Sequence, residues 1–83
     1  MAYKVLYKTS VRKDLKRIDK KEVVKILNVS EGKLSESPKA GKRLTGEFTG
    51  LYSYRVGDFR VVYTLLGESI LILRISHRKD VYR

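Results

Sequence analysis

Two glycine-containing turns in the second half of the chain constrain the fold more than any other feature. Gly57-Asp58 and Gly67-Glu68-Ser69 divide this half into three runs rich in β-branched and aromatic side chains, at about residues 51–56, 59–66 and 70–76. Alternating runs separated by such turns are typical of β-hairpins, and consecutive hairpins predict antiparallel pairing. Residues 70–73, Ile-Leu-Ile-Leu, are apolar on both sides, which indicates an interior strand.

The first half predicts one further strand and two helices. Residues 3–8 alternate like a strand, although the sequence does not fix its place in the sheet. Apolar residues at helical spacing predict helices at 11–18 and 20–34, the first capped by Thr9 or Ser10 and the second by Asp19, with Glu22 at capping-box spacing. Residues 39–50, polar and with three glycines, predict a structured loop.

The fold class predicted from these elements is α+β. The element order is β-α-α-β-β-β, with an antiparallel sheet and a helical hairpin packed on one of its faces, because neither short helix is stable alone. We expect a single domain over residues 1–83, since halves of an 83-residue chain would each be too small for a core.

Charge and composition narrow the function classes. Nineteen Lys and Arg against nine Asp and Glu give a formal net charge of +10, which favours phosphate backbones or acidic protein partners. The chain has no cysteine and one histidine, so disulfides and thiolate metal sites are excluded and we expect no metal and no cofactor. No apolar run approaches the length of a membrane span or a signal core, so we expect a cytoplasmic protein without membrane contact.

Two arginines flank the first of the turns. Arg55 and Arg60 lie at cross-strand spacing, where two like charges repel unless an anion stands between them. Guanidinium groups bind phosphate oxygens in bidentate fashion, so a phosphodiester is a suitable ligand. Arg74 could join them, but the pattern leaves its face open, and solvated strand arginines remain the alternative interpretation.

The end of the chain adds further candidates. Residues 77–83 contain the single histidine, two more arginines, a lysine and a tyrosine, which we expect beside the same cationic face. The sequence has no glycine-rich phosphate loop and no acidic spacing typical of a two-metal nuclease, and one histidine excludes a paired-histidine nuclease. A protein of this kind that cleaved RNA would depend on electrostatic stabilisation and on positioning the 2′-hydroxyl in line with the phosphate.

Three segments resemble a known superfamily. They are Lys42-Arg-Leu-Thr-Gly46, YSYRVGDFRVVY at residues 52–63 and ISHRKDVY at residues 75–82. With the element order, they resemble the RelE/ParE superfamily of toxins from type II toxin–antitoxin systems, and the RelE-like branch is favoured. The resemblance implies one of two activities: RelE-like members cleave mRNA in the ribosomal A site without metal, through 2′-hydroxyl attack, whereas ParE-like members poison DNA gyrase.

The resemblance also implies roles for individual residues. Arg60 matches the family arginine that contacts the scissile phosphate, and Arg78 the arginine that supports the transition state or the leaving group. Arg55 and Ser53 match two family lysines, with the positive charge kept at the first position and lost at the second. Tyr82 matches the tyrosine credited with 2′-hydroxyl activation or base stacking, and His77 is the alternative proton carrier. The expected catalytic set is thus Arg55, Arg60, Arg78, Tyr82 and His77, and the expected RNA-binding set is Lys42, Arg43, Ser53, Arg74, Lys79 and Arg83.

Three functions stay open on the sequence. The first is a ribosome-dependent mRNA endonuclease that inhibits translation. The second is a gyrase inhibitor without nuclease activity, which the uncharged Ser53 keeps open, and the third is an inactive member that binds only RNA or its antitoxin. For a toxin of either branch the resemblance implies a cognate antitoxin; basic helices suit an acidic chain that folds on binding and forms a hetero-oligomer. The nuclease hypothesis adds the ribosome and mRNA as partners.

Overall fold

The computed structural model describes residues 2–80, which form two helices and a mixed five-stranded sheet. The strands are β1 (Lys4–Tyr7), β2 (Lys42–Arg43), β3 (Leu51–Val56), β4 (Phe59–Leu66) and β5 (Ser69–His77), in the order β1-β5-β4-β3-β2. The helices are α1 (Thr9–Lys16) and α2 (Lys20–Val29). The predicted α+β class is confirmed, and so is an interior position for β5.

The sheet is mixed, whereas the sequence predicts an antiparallel sheet. The difference lies in the first strand. β1 pairs with β5 in parallel, with Leu6 opposite Leu71 and Tyr7 opposite Ile72. β1 and β5 are not consecutive in the chain, since α1 and α2 lead from β1 to β2 at the opposite edge of the sheet and β3 and β4 come before β5. The other strand pairs are antiparallel. This pairing gives the apolar strand β5 a neighbour on each side.

Residues 39–50, predicted as a loop, contain a fifth strand, β2, that the sequence does not predict. A buried tyrosine holds it: the Tyr63 hydroxyl donates to the Pro38 carbonyl (2.7 Å) and accepts from the Gly41 N–H (3.0 Å). A Cβ atom at Gly41 would lie 2.6 Å from that hydroxyl, so only glycine fits there. Burial raises the pKa of the Tyr63 hydroxyl above its ordinary value, and the Gly41 hydrogen bond opposes this rise.

The helix limits differ from the prediction at both ends. The N-cap of α1 is Lys8 rather than Thr9 or Ser10, while Asp19 does cap α2, although its side chain makes no capping hydrogen bond. The helix predicted to run to residue 34 widens into a π-helical turn at Ser30–Leu34. Ile26, Ser30 and Leu34 are all fully buried, so the buried stripe of α2 continues through the wider turn.

Both hairpin turns contain two residues. Gly57 and Gly67 have φ angles of +61° and +58° at the first turn position, as the primed hairpin turns require. The three-residue turn expected at Gly67-Glu68-Ser69 is therefore wrong, because Leu66 pairs with Ser69 and β5 begins there.

The helices cover one face of the sheet and leave the other open. Val11, Ile26 and Leu34 from the helical half meet one side of the strands to form the core, whose sheet members are Val56, Val61, Tyr63, Ile70, Ile72 and Ile75. Within residues 2–80, no helix is long and apolar enough to cross a membrane.

Candidate functional site

The open face of the sheet carries two rows of side chains, and all of them except Val62 are polar. Arg55 lies opposite Arg60, which in turn lies opposite Ser76. Directly opposed residues of neighbouring strands point to the same side, with Cβ atoms about 4.5–5.5 Å apart. The predicted cross-strand pairing of the two arginines is therefore confirmed.

The second row runs beside the first and reaches the edge strand. It contains Lys42, Ser53, Val62 and Arg74, one residue from each of β2, β3, β4 and β5. The open face thus collects four cationic side chains from four strands, namely Lys42, Arg55, Arg60 and Arg74. The position of Lys42 could not be predicted, because it depends on the unrecognised strand β2.

A β-bulge decides the face of Arg74. Val62 pairs with Arg74 and Tyr63 pairs with Ile72, so Leu73 is an extra residue in β5. Strict alternation from Ile70 and Ile72 would direct Arg74 toward the helices and Ile75 toward solvent. The bulge reverses both, which buries Ile75 and brings Arg74 to the face of Arg60.

Two polar atoms on this face are buried without a hydrogen-bond partner among the described residues. They are the Oγ atom of Ser53, a residue that is 5% exposed, and the Nε atom of Arg60. Buried polar groups nearly always have partners, so these two groups, on neighbouring strands of the open face, have hydrogen-bonding capacity that a bound anion could use once the side chains that cover them move. Arg55 differs from Arg60, because its Nε donates to the carbonyl of Gly57 (3.0 Å).

Arg78 lies at the hairpin end of the same face. Its backbone N–H donates to the Asp58 carbonyl (2.8 Å), which extends the β4–β5 register by one pair beyond Phe59 and His77. Its side-chain Nε lies 4.0 Å from a carboxylate oxygen of Asp58, and both side chains are largely exposed. An exposed pair of this kind contributes little stability, so the Arg78 guanidinium is easily released to another anion.

His77 lies on the other face of the sheet. It pairs with Phe59, and the two rings meet edge to face with centroids 5.4 Å apart on the side that packs toward the helices. The expectation that the imidazole stands beside Arg55 and Arg60 is therefore wrong, because strand alternation turns His77 away from Ser76. Its Nδ1 atom accepts the Lys79 backbone N–H (3.2 Å).

The remaining candidate residues lie away from the open face or outside the described residues. Arg43 pairs with Tyr52, so it faces away from the open face although it neighbours Lys42. Lys79 lies in the short 3-10 turn Arg78–Asp80 and is exposed. Tyr82 and Arg83 lie outside the described residues. Among residues 2–80, no group of three or more His, Cys, Asp or Glu side chains could hold a metal ion.

Comparison with known proteins places this fold and surface in one family. Residues 5–82 match the family model described as the ParE toxin of the type II toxin–antitoxin system parDE. The chain belongs to this family and is a RelE/ParE-like toxin, so the resemblance noted in the sequence is confirmed.

The most similar relatives include two toxins of Mycobacterium tuberculosis. Toxin RelG is 35% identical over 100% of this chain and 99% of its own length, and Toxin RelE is 32% identical over 98% and 87%. Among solved structures, the toxin–antitoxin complex RelBE2 of the same organism is similar with a TM-score of 0.89 and 31% identity, covering 94% of this chain and 100% of the matched chain.

Proposed function

We propose that this toxin is a ribosome-dependent mRNA endonuclease that inhibits translation. The observation that carries the proposal is the pair of buried groups on the open face, Ser53 Oγ and Arg60 Nε, that have no partner within residues 2–80, together with Arg55 directly opposite Arg60. A phosphodiester satisfies both hydrogen-bonding groups and relieves the repulsion between the arginines.

The proposed reaction is an internal transfer at phosphorus. The 2′-oxygen of the ribose attacks the adjacent phosphorus, a P–O2′ bond forms, and the P–O5′ bond breaks. The products are a 2′,3′-cyclic phosphate and a 5′-hydroxyl; the 2′-hydroxyl proton goes to the base, and the departing 5′-oxygen takes a proton from water. The reaction adds negative charge to the phosphoryl oxygens in the transition state, where fixed positive groups are most effective.

Each side chain has a role in this proposal. Arg60 and Arg55 bind the phosphoryl oxygens, and Arg78, anchored beside Asp58, supports the departing 5′-oxygen. We assign the base to Tyr82 rather than His77, because His77 lies on the helix-facing side of the sheet. Tyr82 lies outside the described residues, so its role in this proposal depends on the resemblance to the family tyrosine.

The ribosome has two functions in the proposal. It holds the mRNA strand extended, so that the 2′-oxygen, the phosphorus and the 5′-oxygen align, which supplies much of the rate enhancement. The net charge of +10 favours entry into a site lined by RNA. Exposed cations are not confined to the sheet, since α1 also presents Arg12, Lys13 and Lys16, and Arg17 caps its C-terminal end.

We also propose that an acidic antitoxin binds and neutralises this chain in the cytoplasm. Similar toxins crystallise with antitoxins, as in RelBE2 and in the archaeal RelE–RelB complex of Pyrococcus horikoshii, which shares 28% identity. Opposite charge favours such a complex. Co-expression with an acidic protein encoded beside the toxin should give a hetero-oligomer that co-purifies, and failure to co-purify would contradict this part.

The nuclease proposal is tested with purified components. Ribosomes carrying a defined mRNA are incubated with the toxin, and the 5′ ends of the products are mapped. We expect cuts within the codon in the A site, dependent on ribosomes, with 5′-hydroxyl ends. Growth arrest in cells whose translated messages stay intact would reject the proposal.

The second candidate is inhibition of DNA gyrase without RNA cleavage. The specific observation in its favour is the family description, which names ParE, together with the neutral Ser53 on the cationic face. A supercoiling assay with purified gyrase separates the candidates, because the nuclease proposal predicts no inhibition at toxin concentrations that cleave mRNA completely.

A further inference from the structure

We propose that Lys42, on the edge strand β2, is a third phosphate-binding cation of the open face. This inference rests on the proposed RNA-cleaving function and extends its substrate contacts to a residue outside the β3–β4 hairpin. Lys42 binds a phosphate of the RNA strand from the β2 side of the open face, and Ser53 lies between it and Arg60 of β4.

The register places Lys42 for this contact. It lies directly opposite Ser53, and Ser53 lies opposite Val62, two residues along β4 from Arg60. Neighbouring strands are about 4.8 Å apart, so the backbones of β2 and β4 are separated by about 10 Å. A lysine and an arginine with long side chains span that distance and converge above Ser53.

The residue between Lys42 and Arg60, Ser53, is small and uncharged. Residue 53 is 5% exposed, and its hydroxyl has no partner among the described residues. The strand β3 therefore contributes a hydrogen-bonding group at this point but no charge. The charge comes from the directly opposed residue of the next strand, since cross-strand partners share a face.

Lys42 is also available to an anion. It is exposed, and within residues 2–80 it forms no ion pair with a carboxylate, the Arg78–Asp58 pair being the one at this face. An exposed ammonium group on a flexible four-carbon stem loses rotamer entropy when it binds, but a phosphate compensates through a charge-assisted hydrogen bond.

The fold holds Lys42 in place by contacts away from the RNA-binding surface. The buried Tyr63 hydroxyl bonds to Pro38 and Gly41 immediately before β2, and the Leu44 N–H donates to the Leu51 carbonyl (2.9 Å) immediately after it. A strand fixed at both ends sets the face of each side chain. Lys42 therefore points to the open face and Arg43 to the opposite one.

The neighbouring Arg43 gives a matched control. Lys42→Gln and Arg43→Gln each remove one positive charge from the same exposed two-residue strand, so the overall charge is equal in both variants. We expect Lys42→Gln to raise the KM for cleavage of ribosome-bound mRNA about tenfold with a smaller change in kcat, as the loss of one charged ground-state contact should. Arg43, although it belongs to the expected RNA-binding set, faces away from the open face, so Arg43→Gln should raise KM clearly less than Lys42→Gln does.

A second readout does not depend on cleavage. Binding to a single-stranded RNA oligonucleotide is measured against salt concentration, where each phosphate contact on a single strand contributes about 0.7 to the slope of log K against log salt. Lys42→Gln should lower the slope by about that amount, and Arg43→Gln should lower it less.

A third variant moves the positive charge from β2 to the directly opposed position on β3. In the double variant Lys42→Gln with Ser53→Lys, the ammonium moves to the directly opposed position, and KM should fall below that of Lys42→Gln without reaching that of the parent, because the Ser53 hydroxyl is lost. Thermal unfolding checks that the variant folds; if it does not, the two single variants decide the question.

The outcomes separate this inference from the function on which it rests. Absence of ribosome-dependent cleavage by the parent chain would overturn the proposed function, and the role of Lys42 with it. A parent that cleaves, with equal KM values and equal salt slopes for Lys42→Gln and Arg43→Gln, overturns the role of Lys42 alone.

Discussion

Arg60 and His77 lie on opposite faces of the same pair of strands. Arg60 is opposed by Ser76 on the open face, whereas His77, the next residue of β5, is opposed by Phe59 on the side of the helices. The edge-to-face contact of the His77 and Phe59 rings fixes that orientation. Strand alternation thus separates the most conventional proton carrier of the chain from its phosphate-binding surface.

The first prediction concerns the guanidinium of Arg60. Arg60→Gln should lower the rate of ribosome-dependent mRNA cleavage by about 10²–10³-fold, the usual effect of removing one donor to a developing oxyanion. The measurement is single-turnover cleavage of a ribosome-bound message. Arg60→Lys keeps the charge but loses the planar fork, so it should retain part of the activity.

The structural control for this prediction is the melting temperature. Arg60 Nε makes no hydrogen bond within the described residues, so its replacement should not destabilise the fold through a lost contact. Parental cleavage rates in a folded Arg60→Gln variant would contradict the assignment.

The second prediction concerns the proton carrier. His77→Gln should change the cleavage rate less than about twofold and leave the pH profile in its place, because the ring faces the helices. Tyr82→Phe should lose most of the activity, since general acid–base catalysis contributes about 10²–10⁴-fold. The two pH–rate profiles are measured side by side. A large loss in a well-folded His77→Gln protein, with Tyr82→Phe active, would reverse the two roles.

Local patterns were sufficient to predict the frame of the sheet. The two glycine turns located β3, β4 and most of β5, because period-two alternation and turn chemistry act over a few residues. That local information also placed Arg55 opposite Arg60. The α+β class followed from apolar stripes on two helices that need a sheet to cover.

Other features could not be predicted, because they depend on contacts distant in sequence. The strand β2 has two residues, too few for any period, and exists because Tyr63 holds Pro38 and Gly41 from the centre of the sheet. The bulge at Leu73 has no local marker, so simple alternation could not give the face of Arg74. The expectation for His77 is wrong because successive residues of a strand point to opposite faces, so a residue next to Arg78 in sequence lies on the other side of the sheet.

The third prediction concerns the hydroxyl that anchors β2. Tyr63→Phe removes an acceptor from the Gly41 N–H and a donor from the Pro38 carbonyl in a fully buried setting, so it should lower the free energy of unfolding by about 1–3 kcal/mol. Urea-induced unfolding measures the change. Tyr54→Phe is the matched control, since Tyr54 also lies on the helix-facing side but its hydroxyl makes no hydrogen bond among the described residues; it should change stability by less than about 0.5 kcal/mol.

Gly41→Ala tests the same anchor from the other side. The new Cβ would lie 2.6 Å from the Tyr63 hydroxyl and 3.1 Å from the Ser53 carbonyl, so β2 must shift away from β3. We expect a loss of stability at least as large as that of Tyr63→Phe. Equal stability of Gly41→Ala and the parent chain would show that β2 is not held in this way.

The last prediction concerns alkaline pH and the Tyr7–Glu31 pair, far from the open face. The Tyr7 hydroxyl donates to a Glu31 carboxylate oxygen at 2.6 Å. Burial, first, and then the bond to Glu31 and its negative charge raise the pKa of Tyr7 well above that of a free tyrosine. The unfolded chain therefore loses this proton at about pH 10, before the folded chain does. The stability that the pair provides is fully present below about pH 10 and is lost as pH rises above it.

Unfolding free energies measured from pH 8 to 11.5 should fall more steeply for the parent chain than for Tyr7→Phe. Glu31→Gln should give an intermediate slope, because burial, the larger cause, remains. Identical slopes for parent and Tyr7→Phe would mean that Tyr7 ionises equally in the folded and unfolded chains.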